Sequence, residues 1–124
     1  MLVDKFNVNI KYVSINYYYD TNIKKWKTKF DPENYKAKNF SEEVVDAKNN
    51  KIIVKAGEKI NFLTAKKLAN NGLKEIYVSN QSLYGKFLHK NISADDDTFK
   101  IGTEINETTL LKFLDSNIHS IEIS

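Results

Sequence analysis

Two histidines, His89 and His119, and the run Asp95-Asp96-Asp97 are the residues that could carry acid–base or metal chemistry. Neither group has the spacing such chemistry needs. The histidines are isolated, with no paired carboxylates beside them, and read as surface or half-buried side chains. The acidic run lacks the glycine and terminal glutamate of an EF-hand loop and reads as a solvated turn. Gly57-Glu58-Lys59 and Gly102-Thr103-Glu104 have neither the glycine density nor the Lys-Ser/Thr ending of a phosphate loop. Their glycines are better explained by turn geometry ahead of helices. Cysteine is absent, which excludes thiol catalysis, disulfides and cysteine-rich zinc or iron–sulfur sites. No catalytic, cofactor-binding or metal residue is assigned, and no cofactor is expected.

A second kind of chemistry is electrostatic. Lys24, Lys25, Lys27 and Lys29 surround Trp26, and a basic surface beside an aromatic ring is what nucleic-acid binding requires. These four lysines are the candidate DNA contact. Two features weigh against it. Strand alternation puts Trp26 on the face opposite Lys25 and Lys27, as a core or interface anchor. Every basic residue is a lysine, whereas bidentate reading of guanine and fork-like clamping of phosphate are arginine work. The net charge is +3, with eight lysines and four acids in residues 1–40 and eleven lysines and twelve acids thereafter. Such a field attracts a polyanion weakly and with strong salt dependence.

The elements that position these residues show an internal repeat. Residues 57–79 read GEKINFLTAKKLANNGLKEIYVS and residues 102–124 read GTEINETTLLKFLDSNIHSIEIS, aligned without a gap at an offset of 45 with seven identities in 23 pairs. Each unit reads as glycine turn, short helix, strand. Asn61 and Asn106 stand at helix N-caps, where a side-chain oxygen accepts from an amide of the first turn. Ala65, Leu68 and Ala69 form one apolar stripe at helical spacing, and Leu110, Phe113 and Leu114 form another. Gly72 and Asn117 suit the left-handed position after each helix, with Leu73 placed against Leu68 in a Schellman-type cap. Ile76/Val78 and Ile121/Ile123 are the inward residues of the closing strands.

Ahead of the first unit, Glu43 to Ala47 and Lys51 to Lys55 read as a hairpin. Ahead of the second, Gly85 to Ile92 reads as a strand, Asp95 to Asp97 as a turn, and Thr98 to Ile101 as the lead into Gly102. Residues 1–40 are rich in aromatics. Asn7 to Asn16 and Ile23 to Phe30 suggest paired strands joined through Asp20-Thr21-Asn22, and at least one ring of Tyr17-Tyr18-Tyr19 should be buried. Pro32 suits the first turn of a short helical segment, and Asn34 to Asn39 reads as loop. The fold class is α+β: two small repeated strand–glycine turn–helix–strand units plus an N-terminal aromatic-rich hairpin. The division is 1–40, hairpin and lead-in segment, and 41–124, the module with the repeat.

With 124 residues, 41% of them apolar and one proline, the chain has room for one ordinary domain or two very small ones. A domain of this size buries roughly two-thirds of the surface its extended chain exposes. No apolar run approaches the roughly 18 residues that span a bilayer. Met1 to Lys5 is too short and too soon charged for a secretory signal.

From Phe30 onward, about three-quarters of its length, the chain resembles the beta subunit of bacterial DNA-directed RNA polymerase, in and around the lineage-specific insertion of the beta lobe. The family's F-x-P-E appears as Phe30-Asp31-Pro32-Glu33. Its A-G-x-x-I-T appears as Ala56-Gly57 with Ile60-Asn61, its A-K-K-L as Ala65-Lys66-Lys67-Leu68, and its G-L-K-E-I-x-V as Gly72 to Val78. Leu83-Tyr84-Gly85 with Leu88, Asn91 and Ile92 follows the next motif. Asn91 replaces an acid, Asn61 replaces a capping threonine, and a glycine near residues 95–98 is missing. The motifs are specific in their order and spacing, not singly.

The resemblance implies a non-catalytic accessory module of the beta subunit, in structural support and regulator docking during transcription. The assembly resembled is a nucleotidyltransferase, but its catalytic residues lie elsewhere, so this stretch is not expected to be an enzyme. Implied partners are the rest of beta; alpha, beta-prime, omega and sigma subunits; and transcription regulators. DNA would lie near without being read specifically. Localisation would be cytoplasmic, without membrane. The alternative is a direct, non-specific DNA-contacting module working through the N-terminal lysines.

Overall fold

The computed structural model describes residues 14–35, 43–94 and 97–124. In chain order these form β1 (Ile15–Asp20), β2 (Lys25–Lys29), a 3-10 turn (Pro32–Tyr35), β3 (Val44–Asp46), β4 (Ile52–Val54), α1 (Phe62–Asn70), β5 (Glu75–Val78), α2 (Asn80–Leu83), β6 (Ile92–Ala94), β7 (Asp97–Phe99), α3 (Glu107–Asp115) and β8 (Ser120–Ile123). Six strands make one sheet in the order β4-β3-β5-β2-β1-β8, and β6 and β7 pair separately. Every pairing is antiparallel. The protein is α+β.

Local chemistry sets the helix ends. Asn61 and Asn106 have extended backbones, and their side-chain oxygens accept from the amides of Thr64 and Thr109 at 2.8 and 2.9 Å. Each satisfies an amide that the helix itself leaves unpaired. After α1, Gly72 at φ +108° gives its amide to Ala69, and Leu73 gives its amide to Leu68. After α3, Asn117 at φ +56° donates to Leu114, and Ile118 to Phe113. These are the two bonds of a Schellman cap in each case.

The β1–β2 hairpin forms the centre of the sheet. Tyr17 lies opposite Thr28, with Ile121 of β8 opposite Tyr17 on one side and Ile76 of β5 opposite Thr28 on the other. The N-terminal hairpin therefore shares one sheet with strands from beyond residue 41. The alternation of side chains then separates two faces. Tyr17, Trp26, Val78, Ile121 and Ile123 meet Leu110 and Phe113 of α3 in one core. Phe30, Val44, Leu73 and Ile76 meet Ala65 and Leu68 of α1 in a second. By strand register both cores lie on the same side of the sheet. Trp26 and Phe113 are almost wholly buried, and Phe99 of β7 meets the Phe113 ring edge-on at 4.8 Å.

The structure departs from the local reading in three places. β1 begins at Ile15 and runs through the tyrosines to Asp20, later than the Asn7–Asn16 strand, whose residues 7–13 lie outside the described residues. Pairing with β8 on one side and β2 on the other sets this position, and the β8 pairing is non-local. Gly85 to Ile92 is not one strand. Ser79 caps the four-residue α2, Gly85 turns at φ +83°, and only Phe87 and Leu88 make bridges before β6. Asp97 opens β7 rather than sitting in a turn, and residues 95–96 lie outside the described residues, as do residues 36–42.

Candidate functional site

The face of the sheet opposite α1 and α3 carries the sequence-predicted lysines of β2. Reading across the strands, Val45, Tyr77, Lys27, Tyr18 and Ser120 stand in one row, each opposite the next. Lys25 and Lys29 flank Lys27 on the same side of β2, because residues two apart share a face. Trp26 and Thr28 point the other way and are buried. Tyr18, 43% exposed, is the accessible aromatic beside these lysines. Lys24 lies in the hairpin turn at φ +61°, its amide bonded to the Asp20 carbonyl.

Carboxylates interleave with the lysines. Asp20 lies opposite Lys25 and Glu75 opposite Lys29, while Lys27 Nζ lies 4.0 Å from Glu75 Oε1. The Asp20 carboxylate accepts from the Asn22 and Ile23 amides at 2.9 and 3.1 Å, which closes the turn. It also accepts from the Tyr77 hydroxyl at 3.3 Å, and that hydroxyl lies equally close to the Ala47 carbonyl. The Ile23 amide foremost, then the Asn22 amide, Lys27 and the Tyr77 hydroxyl, hold Asp20 below the usual carboxylate range against partial desolvation. Desolvation first, and then the Asp20 charge, pushes the Tyr77 phenol up. Lys25 Nζ sits 5.8 Å from the Tyr77 ring centre, within cation–π range. This Asp20–Tyr77–Lys25 cluster ties three strands together, and no local pattern in the sequence announces it.

A groove of about 500 Å³ opens at the hairpin end of this face, between Lys24, Lys25, Tyr77, Asn80 and Gln81. A smaller one of about 300 Å³ lies at the other end, beside Asn16, Tyr18, Lys29 and Glu75. Both are lined by mixed charge and amide groups.

The other sequence candidates make contacts within the fold. The His119 ring stacks on Tyr19 at 6.0 Å between centroids, and its carbonyl accepts the Tyr19 amide. His89 donates its amide to the Glu122 carbonyl. Asp97 accepts from the Ser116 hydroxyl at 3.1 Å, tying β7 to the end of α3. Gly57 and Gly102 turn at φ +83° and +88°, and the amides that follow them donate to the carbonyls of Lys55 and Lys100. Those amides are committed to their own turns. Among the described residues no three His, Asp or Glu side chains gather as a metal site, and no helix is long and apolar enough to cross a membrane.

Fold and face together define an α+β module with one packed surface and one polar, lysine-bearing surface. No family model matches the chain. Over 119 residues, 94% of its length, it is 32% identical to the DNA-directed RNA polymerase subunit beta of Rickettsia conorii, 9% of which it covers. The corresponding subunit of Rickettsia bellii is 37% identical over 84 residues, covering 68% of this chain and 6% of that subunit. That of Orientia tsutsugamushi is 38% identical over 80 residues, 58% of this chain and 6% of that subunit. The chain is thus related in sequence to a stretch of the RNA polymerase beta subunit, and it spans about 9% of the length of the first of these relatives.

Proposed function

We propose that this chain is a non-catalytic accessory module of a bacterial RNA polymerase beta subunit, seated at the lobe insertion and acting in DNA-directed transcription. Its work there is structural support and the docking of transcription regulators. The observation that carries this reading is the match along 94% of the chain to one short stretch of much longer beta subunits. The surroundings that follow are the rest of beta, the alpha, beta-prime, omega and sigma subunits, and the cytoplasm.

The same reading takes residues 57–79 and 102–124 as one unit present twice. It is supported by bonds that recur at an offset of 45: Thr64 to Asn61 and Thr109 to Asn106, Leu73 to Leu68 and Ile118 to Phe113. The four registered pairs of β5 with β2 match the four of β8 with β1 in the same sense, an approximate two-fold relation about the Tyr17–Thr28 pair. The boundary near residue 40 then separates the hairpin that forms the shared centre from the module built on it.

The isolated chain, given template, primer and nucleotides, is expected to incorporate none; clear templated synthesis would overturn the non-catalytic reading. A second reading, direct DNA contact, is favoured by one observation: Lys25, Lys27 and Lys29 share one face of β2, opposite Trp26 and Thr28. The interleaved Asp20 and Glu75 weigh against it, because a polyanion would meet them too. Duplex binding that falls steeply between roughly 50 and 200 mM salt, and disappears when Lys24, Lys25, Lys27 and Lys29 are neutralised, would establish the second reading.

A further inference from the structure

The two outer strands of the main sheet are not treated alike. The outer edge of β8 is covered by residues 87–89: Phe87 and Ser124 exchange both amide bonds at 3.0 Å, and His89 donates to Glu122 at 2.8 Å. β4 ends the sheet on the other side, and among the described residues no strand pairs with its outer edge. Ile52 and Ile53 on this strand are 55% and 37% exposed, so adjacent apolar side chains face out on both sides of an edge strand. Around them, Lys48, Lys51, Lys55 and Lys59 are all exposed. The one acid in residues 47–61 is Glu58, and its carboxylate accepts the Lys55 amide at 2.8 Å.

We infer that the outer edge of β4 is a docking edge for an acidic, extended segment of a partner protein, which adds to the sheet as a further strand. Backbone bonds would supply affinity, and Ile52 and Ile53 would take apolar side chains of the added strand. The lysines select the occupant. A second copy pairing antiparallel about Ile53 would set Lys51 against Lys55 twice over, and like charges directly opposite are destabilising. Carboxylates at the same two positions are attracted instead. The short length and flanking lysines that protect an edge from self-association thereby leave it open to an acidic strand. Duplex nucleic acid offers no amide ladder to such an edge.

The inference deepens the docking reading above and rests on it for its biological meaning, but the binding is measured on the 124-residue chain by itself. The probe is a capped peptide of three valines flanked at each end by two glutamates, with a lysine-flanked version as comparison. The acidic peptide is expected to bind and to slow amide exchange along β4 but not along β8. The double variant Lys51→Glu, Lys55→Glu, confined to exposed side chains, should weaken acidic-peptide binding by about tenfold and favour the lysine-flanked peptide. Ile52→Pro, which removes an amide facing away from β3, should abolish binding of both. Equal binding of the two peptides, protection centred on another strand, self-association through β4, or no binding would each overturn the edge. Binding of the acidic peptide alongside failure of the polymerase tests would sink the polymerase reading and leave the edge standing.

Discussion

Single side chains here are set to hold strands together, and their contributions can be measured one at a time. Asp20 has its folded-state pKa lowered, so the stability it contributes is present above its unfolded value, near about 3.9. That contribution is lost as pH falls through the lower folded value. In Asp20→Asn the loss of stability below about pH 4 should be smaller than in the parent, as read by denaturant melts across pH. Tyr77 has the opposite sign. Its folded pKa is raised, so its contribution is complete below about pH 10 and is lost as pH rises further. Tyr77→Phe should reduce the parent's loss of stability in alkali; an unchanged alkaline limb would remove Tyr77 from the account. Trp26 is 1% exposed and fills the centre of the hairpin, so Trp26→Ala is expected to cost about 3–5 kcal/mol in a urea melt.

At the scale of elements, caps and turns decide where helices start and stop. No atom lies within 4 Å of a Cβ built at Gly57 or Gly72, so any cost of substitution there is backbone strain rather than a clash. Gly57→Ala and Gly72→Ala should each destabilise by about 1 kcal/mol, and Asn117→Gly, at φ +56° in the corresponding cap, should be neutral or stabilising. A stability gain at Gly72→Ala would contradict this. Asn61→Ala and Asn106→Ala should each cost about 1 kcal/mol through the lost cap. These features are legible in sequence because capping is decided within four residues: Asn61 with Thr64, Asn106 with Thr109, Gly72 with Ala69. The position of the β1–β2 hairpin is not legible in the same way. Tyr17 meets Ile121 and Trp26 meets Val78, partners about a hundred and about fifty residues away, and no local periodicity names them. For the same reason Asp20 and Tyr77 escape notice: each looks ordinary alone, and only the sheet brings them within 3.3 Å. The short helix α2 had a readable signal in Ser79, whose hydroxyl accepts the Ser82 amide, but four residues are too few to show a period.

Across the described residues, most apolar surface is buried on the side of the sheet that bears α1 and α3, while Val45 and Tyr77 are buried on the other beside its lysines. Two helices cover one face, Tyr18 and three lysines mark the other, and the outermost strands differ in how their edges are closed. The sequence kinship to about 9% of an RNA polymerase beta subunit gives this division of labour a setting. A polymerase assembled with a short linker in place of this stretch in its beta subunit tests the central claim most directly, through its rate of templated RNA elongation. The account predicts a rate within about twofold of the intact enzyme. A stable, fully assembled polymerase that lost RNA synthesis on this replacement would contradict it.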